Sequence, residues 1–421
     1  MDSFSLMQRN FRNLYADAFW FGVLSGTTVA FLAIFAARLG ASSFQIGLLT
    51  AGPALVNLAV SLPAARWMER RSLIEVSFWS AVLSRVGYFA LILLPWIFNQ
   101  HGQVRSMIWI TLYISLPATL WVIGFNALFA EAVPSQYRAE VVGKRNALLA
   151  ISMTIATLLS GLLLERITFP LNYQAVFGLG ALGAALSAYH LALLRSAPRS
   201  PPPRTNGFGL GGVAQFRSLL RKVEQLPLGG GTALRSFLHL DLLRGRLGSF
   251  MAAYLLVYTF QYLCIPIFPL VYVADLKLSD GMISLGSGLF YAMMFLVSLR
   301  LKWLAARFSH HQLLTAAAIG LASYPLIMGL ARGPGLYLVG SITGGVVYAV
   351  LSASLVNRLM EVVPEQERAA GMAFHNLALN LGILAGSLTG PLLGGWLGNQ
   401  EGLMLGAGLR LFAGLLMIWW G

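Results

Sequence analysis

Charge is scarce in this chain. Only 10% of its 421 residues are Asp, Glu, Lys or Arg, whereas ordinary soluble domains carry roughly 25%. That shortage excludes a soluble enzyme. Acidic residues are the scarcest, 15 against 29 Lys and Arg, for a net charge of +14. A basic excess of this size would suit nucleic acid if it were clustered on one solvated face. Here it falls between apolar stretches, which points to anionic lipid and away from nucleic acid. Cysteine occurs once, as Cys264, so neither a disulfide within the chain nor a Cys-based metal site is expected. The six histidines are scattered, and the adjacent pair His310–His311 has no nearby carboxylate. A membrane-embedded enzyme would need convergent acid, base or metal-binding groups, so no catalytic residues, metal or cofactor are expected. The N-terminus lacks a short apolar core followed by a small-residue cleavage site, so no removable signal peptide is read there.

What the chain has instead is apolar sequence: 57% hydrophobic residues and a mean hydropathy of +0.72. A helix needs about 20 apolar residues to cross a bilayer. Twelve stretches qualify: 15–38, 43–65, 73–97, 106–130, 146–168 and 173–194, then 249–272, 282–303, 313–331, 335–358, 371–397 and 402–420. The expected fold is an all-α polytopic membrane protein with a six-helix bundle over 1–195 and another over 248–421. Between them, 196–247 reads as a basic linker. It opens on a Pro/Gly/Ser-rich run and carries an amphipathic helix over 213–226, placed either on the membrane surface or under the bundle. Of the 29 Lys and Arg residues, 22 fall on the side of the two termini and the linker. The positive-inside rule makes that side cytoplasmic.

The two sixes are copies. EAVPSQYRAEVVGKRNALLA at 131 returns as EVVPEQERAAGMAFHNLALN at 361. Glu131, Pro134, Gln136, Arg138 and Asn146 thereby fall on Glu361, Pro364, Gln366, Arg368 and Asn376. A second echo, ARLGASSFQIGLL at 37 with ADLKLSDGMISLG at 274, is offset by a further seven residues, which a longer loop over 98–105 would absorb. An even number of spans separates matching segments, so the halves run in the same direction. Parallel repeats of this kind are one arrangement found in secondary transporters.

Two parallel six-helix halves, a basic central loop and E-x-x-P-x-x-x-R-A after spans 4 and 10 resemble the major facilitator superfamily, and the loop motif is similar to that of its sugar-porter branch. The resemblance implies a secondary transporter that moves a small solute by alternating access, working as a monomer in a bacterial-type inner membrane. It also implies a cytoplasmic gate of Glu131, Arg138, Glu361 and Arg368, whose ion pairs join the halves in the outward-facing state. The loop after span 2, LPAARWMERR, keeps Ala65, Arg70 and Arg71 of the superfamily's usual motif but has Arg66 where an Asp belongs, so the Asp-centred latch is missing. GSLTGPLLGG in span 11 is similar to an antiporter signature that belongs in span 5. Its glycines Gly382, Gly386, Gly390 and Gly394 are therefore read as a helix-packing stripe. A drug or metabolite exporter of the same fold and a non-transporting receptor or scaffold are the alternative readings.

In the superfamily, spans 1, 4, 7 and 10 line the central cavity. Those spans offer Trp121 and Asn126, then Tyr254, Tyr258, Gln261 and Tyr262, then Ser341, Thr343 and Tyr348. A tyrosine stripe presents flat apolar area together with hydroxyls, a surface for a moderately polar organic solute. Proton coupling commonly uses a carboxylate inside the membrane. No Asp or Glu sits at mid-depth here, which leaves Asp17, Glu165 or His190 as candidate carriers. Arg85 and Arg410 do lie mid-span, and pairing within their own half-bundles is expected of them.

Overall fold

The computed structural model describes residues 3–68, 71, 73–194 and 246–421. Among these residues the secondary structure is helical, without a strand, and twelve helices are long and apolar enough to cross a membrane. The first half holds α1 (Met7–Arg38), α2 (Ser43–Met68), α3 (Leu73–Ile97), α4 (Gln100–Ala132), α5 (Arg138–Arg166) and α6 (Leu171–Ala192). The second holds α7 (Leu247–Asp275), α8 (Asp280–Arg307), α9 (His310–Leu330), α10 (Pro334–Val362), α11 (Arg368–Leu397) and α12 (Asn399–Trp420). Twelve crossings bring the chain back to the face on which it began, the terminal face; the opposite one is the distal face. The amphipathic stretch 213–226 lies outside the described residues.

The repeated loop folds the same way twice. Val133 and Val363, each followed by proline, end their helices in extended conformation (φ −122° and −90°). A proline ring disfavours helical geometry in the residue before it. One 3₁₀ turn follows in each copy, Ser135–Tyr137 and Glu365–Glu367, and then α5 or α11 begins. The expected loop over 98–105 is not one. Asn99 caps α4, its side chain accepting from the Gly102 N–H at 2.9 Å, and the polar residues after it continue the helix beyond the apolar span.

Two helices of the second half are broken. The first segment of α7 ends at Cys264, just before Pro266, and the helix resumes at Phe268. Helix α9 is interrupted at Leu321–Ala322 between His310–Gly320 and Ser323–Leu330. Pro325 accounts for this break, because it has no N–H to donate to the Leu321 carbonyl.

Large apolar side chains face outward along the whole bundle. Exposed tryptophans collect at both ends, Trp96, Trp109 and Trp396 towards the distal face and Trp79, Trp303 and Trp419 towards the terminal face. This is the aromatic belt of a membrane-spanning protein. Between helices in lipid, close approach replaces the hydrophobic effect as the source of packing energy, and small residues permit it. A Cβ at Gly382 would stand 2.6 Å from Tyr258 Cβ, and at Gly386 or Gly390 it would collide with the α7 carbonyls of Thr259 or Leu263. Gly394 is looser, with its nearest neighbour at 3.5 Å.

The buried apolar residues form one cluster near the distal face and two near the terminal face. The distal cluster mixes halves: Phe31, Phe35, Ile46 and Tyr173 pack with Ile267, Phe268 and Ile283. Of the other two, one belongs to the second half alone (Phe250, Leu314, Leu355, Met417) and one to the first half alone (Leu14, Phe125, Val141, Leu191).

Candidate functional site

A cavity of about 350 Å³ lies inside the second half, within the usual size range of small-molecule sites. Residues beside the breaks in α7 and α9, Ile265 and Leu321, are part of its wall. Helix α7 contributes Gln261, Tyr262, Phe268 and Tyr272, α8 contributes Ser287, Phe290 and Tyr291, and α9 contributes Leu321 and Tyr324. Helix α10 adds Ser341, Val347 and Tyr348, and α12 adds Arg410. The Tyr272 and Tyr324 hydroxyls share a hydrogen bond of 2.6 Å, and the Ser341 hydroxyl donates to the Tyr337 carbonyl at 3.0 Å.

Arg410 is almost fully buried, and the helix breaks explain how. It donates through Nε to the Phe260 carbonyl at 3.1 Å and through Nη2 to the Gln261 carbonyl at 2.6 Å. Both carbonyls belong to the last turns of the first α7 segment, and the final carbonyls of a helix look for partners outside it. Nη1 donates to the Leu321 carbonyl at 3.2 Å, the one that Pro325 leaves without a helical partner. A mid-membrane Arg costs about 2.5–3.5 kcal/mol on insertion scales. Hydrogen bonds from a charged donor contribute about 1.5–3 kcal/mol each, so three of them hold the guanidinium in place without a carboxylate.

Of the residues that the sequence singles out, Gln261, Tyr262, Ser341 and Tyr348 come together on this cavity wall. Tyr254 and Tyr258 continue the same α7 face towards the terminal side, their hydroxyls 3.2 Å apart. The Tyr254 hydroxyl also meets the ring of His375 on α11, a partner that sequence spacing does not reveal. Thr343 is turned away from the cavity and donates to the Gly340 carbonyl at 2.9 Å. In the first half, Trp121 stacks on Phe125 at 5.2 Å and lines a smaller recess, while Asn126 is exposed. Tyr272, Tyr291 and Tyr324 are wall residues that sequence reasoning missed, and Arg410, expected only to pair within its half-bundle, does so and also lines the wall. The signal available for them was Pro266 and Pro325, which mark the two breaks.

The first half carries a buried charge network. Asp17 on α1 pairs with Arg145 on α5 at 3.1 Å and accepts from Ser187 on α6 at 2.7 Å. Arg85 on α3 donates to the same Ser187 oxygen at 2.9 Å and to the Ala81 and Ala184 carbonyls. Arg145 also lies over the Phe125 ring at 4.6 Å. His190 stands 3.3 Å from Asn13.

Contacts between the halves gather at the distal face. Arg38 at the end of α1 donates twice to Asp280 at the start of α8, at 2.9 and 3.0 Å, and once to the Leu278 carbonyl at 2.6 Å. Tyr173 donates to the same Asp280 oxygen at 2.9 Å, and Ser279 donates to Glu165 at 3.1 Å. Ser284 on α8 bonds the Thr157 carbonyl on α5. On the other seam, Gly47 of α2 fits against Ser387 and Pro391 of α11. Near the terminal face two described contacts of the motif charges lie within one half. Arg138 donates to the Val133 carbonyl at 3.0 Å, and Glu361 pairs with Arg358 at 3.1 Å. The side chains of Glu131 and Arg368 lie outside the described residues.

Two like-directed six-helix halves that share a buried core at one face and, among the described residues, have separate cores at the other, around buried polar sites, define a membrane transporter. The sequence model of the Major Facilitator Superfamily matches residues 18–251 and 250–421. The chain belongs to that family. In fold it is similar to the nucleoside transporter NupG (14% identity, 98% of both chains, TM-score 0.70). It is also similar to a POT family transporter in complex with 5-aminolevulinic acid (14% identity, 97% of this chain and 95% of that one, TM-score 0.69). A third likeness is to a partially occluded inward-open conformation of the xylose transporter XylE from E. coli (16% identity, 99% and 97%, TM-score 0.66). No curated protein matches the chain.

Proposed function

We propose that this protein carries a small organic solute across a bacterial-type inner membrane by alternating access, and that the structure is its inward-facing state. One observation carries the reading: the halves share a core at the distal face and have separate cores at the terminal face. The basic residues assign the terminal face to the cytoplasm. On that assignment the distal contacts form the closed external gate and the repeated loops form the open internal one. The likeness in fold to a nucleoside transporter, a xylose transporter and a POT family transporter in complex with 5-aminolevulinic acid supports a solute of that size range. On this reading the protein works as a monomer, with its basic face against anionic lipid.

The solute site on this reading is the tyrosine-lined cavity, entered past Tyr258 and Tyr262. Glu131, Arg138, Glu361 and Arg368 join across the cytoplasmic side when the external gate opens. The test uses Ile34→Cys, a distal-core reporter, in a Cys264→Ala background. Its labelling by an impermeant maleimide added outside should be slow, and should speed up severalfold when Arg38→Gln and Asp280→Ala are combined. Equal labelling in both backgrounds would remove the external gate and with it the assignment of the state.

A further inference from the structure

We infer that the cavity of the second half takes a small organic monoanion, a carboxylate carried on a planar ring, with Arg410 as its counter-charge. This deepens the solute-site reading above and rests on it.

The charge argument comes first. Arg410 is 4% exposed and is the only ionised side chain on the cavity wall; no Asp or Glu among the described residues lines it. Its three carbonyl partners are dipoles. They satisfy three of the five N–H groups of a guanidinium and leave its full positive charge in place. Arg410 lines the cavity, its guanidinium carbon 5.9 Å from the centre of the Phe268 ring.

The first half shows what a compensated site of this kind looks like. There the buried Arg85 is linked through Ser187 to the carboxylate of Asp17. The offset of 237 residues that relates the early parts of the two halves sets Tyr254 at the position of Asp17. The offset of 230 sets His375 at the position of Arg145, so the Asp17–Arg145 pair is replaced in the second half by the contact of Tyr254 with His375. Arg410 on α12 is a buried arginine of the second half, and no Asp or Glu among the described residues lines the cavity beside it.

The shape of the wall selects the rest of the ligand. Phe268, Phe290, Tyr291 and Tyr324 present ring faces and edges, which match a flat apolar body. With a single guanidinium, one negative charge is balanced and two are not, so a phosphate dianion fits poorly. A cation is excluded outright. Gln261 is 6% exposed and its buried Oε1 has no donor in the structure, so a hydroxyl or amino group beside the carboxylate would find an acceptor there.

The experiment uses the full chain purified in detergent and follows thermal stability against ligand concentration, since a ligand of the folded state raises it by mass action. The probes are benzoate and phenylacetate, their primary amides, and benzylammonium. The acids should bind about tenfold or more tightly than the amides, the range expected when a charge-assisted contact replaces a neutral one. Benzylammonium should give no shift. Arg410→Lys should retain part of the preference for acids and Arg410→Gln should abolish it. Val347→Phe, which adds a ring to the wall, should weaken all binding. If Arg410→Gln does not fold, the acid-to-amide ratio of the unaltered protein decides alone. Amides that bind as tightly as the acids and are lost with Val347→Phe would overturn the anion assignment while keeping the cavity as the solute site. Acid binding indifferent to Val347→Phe, or no shift with any probe at millimolar concentration, would overturn it as well. Arg410-dependent acid binding without flux of labelled benzoate into proteoliposomes would keep the anion site and remove the transport reading instead.

Discussion

Asp17 and Arg410 show how a membrane interior tolerates ions by two different routes. Asp17 is matched by charge, with Arg145 at 3.1 Å and Ser187 bridging to Arg85. Arg410 is matched by carbonyls from two helix breaks. Removing the acid leaves two arginines buried together. Breaking a buried pair typically costs about 3–5 kcal/mol, so Asp17→Asn should lower the unfolding temperature markedly, and Asp17→Asn with Arg145→Gln should recover part of the loss. A single variant as stable as the parent protein would show that the network carries no such energy. The sequence already displayed charges as rare, with Arg85 and Arg410 mid-span and Asp17 a candidate away from mid-depth. It did not display their partners, because Asp17 lies more than a hundred residues from both Arg145 and Ser187 and meets them only when three helices cross. Nor did it show Asp17 joined to Arg85 through a serine, since spacing along one helix carries no information about the next.

At the level of the helix, the glycine stripe of α11 and the proline breaks of α7 and α9 act in opposite senses. The stripe lets two backbones touch; the breaks keep backbones apart and open a cavity. A branched side chain at Gly390 would strike the Leu263 carbonyl, whereas Gly395 faces open space. Overpacking typically costs about 1–3 kcal/mol, so Gly390→Val should reduce thermal stability and Gly395→Ala should leave it unchanged. Pro325→Ala would return an N–H to the Leu321 carbonyl and release one of the Arg410 contacts. We expect a more stable α9 and altered solute affinity, read by thermal shift with and without ligand. The twelve apolar spans and the duplicated loop were legible from the sequence because hydropathy and local proline rules set them. The ends of α4 and the division of α9 were not, since capping by Asn99 and a single missing N–H leave the hydropathy profile almost unchanged.

For the molecule as a whole, the two gates should respond to mutation with opposite sign. Glu131→Gln with Glu361→Gln should shift the population towards the state open at the terminal face, seen as greater labelling of cysteines placed along the terminal-face half of α4. Arg38→Gln with Asp280→Ala should shift it the other way, and like-signed shifts would break the two-gate scheme. Which face is sealed could not be read from the sequence. The charges at both faces are present in either state, and only packing decides which set is engaged. The seal itself occupies a short part of each crossing pair: on α5 and α8 it runs through Thr157, Gly161 and Glu165 against Ser279 and Ser284. A helix of 29 residues such as α5 is about 40 Å long at 1.5 Å per residue. With its fulcrum near one end, a tilt of about 15°, comparable to known subunit rotations, swings the other end by about 10 Å. The same lever makes the small residues at the seam stiff points, where a single added methylene would be magnified several times over at the opposite mouth.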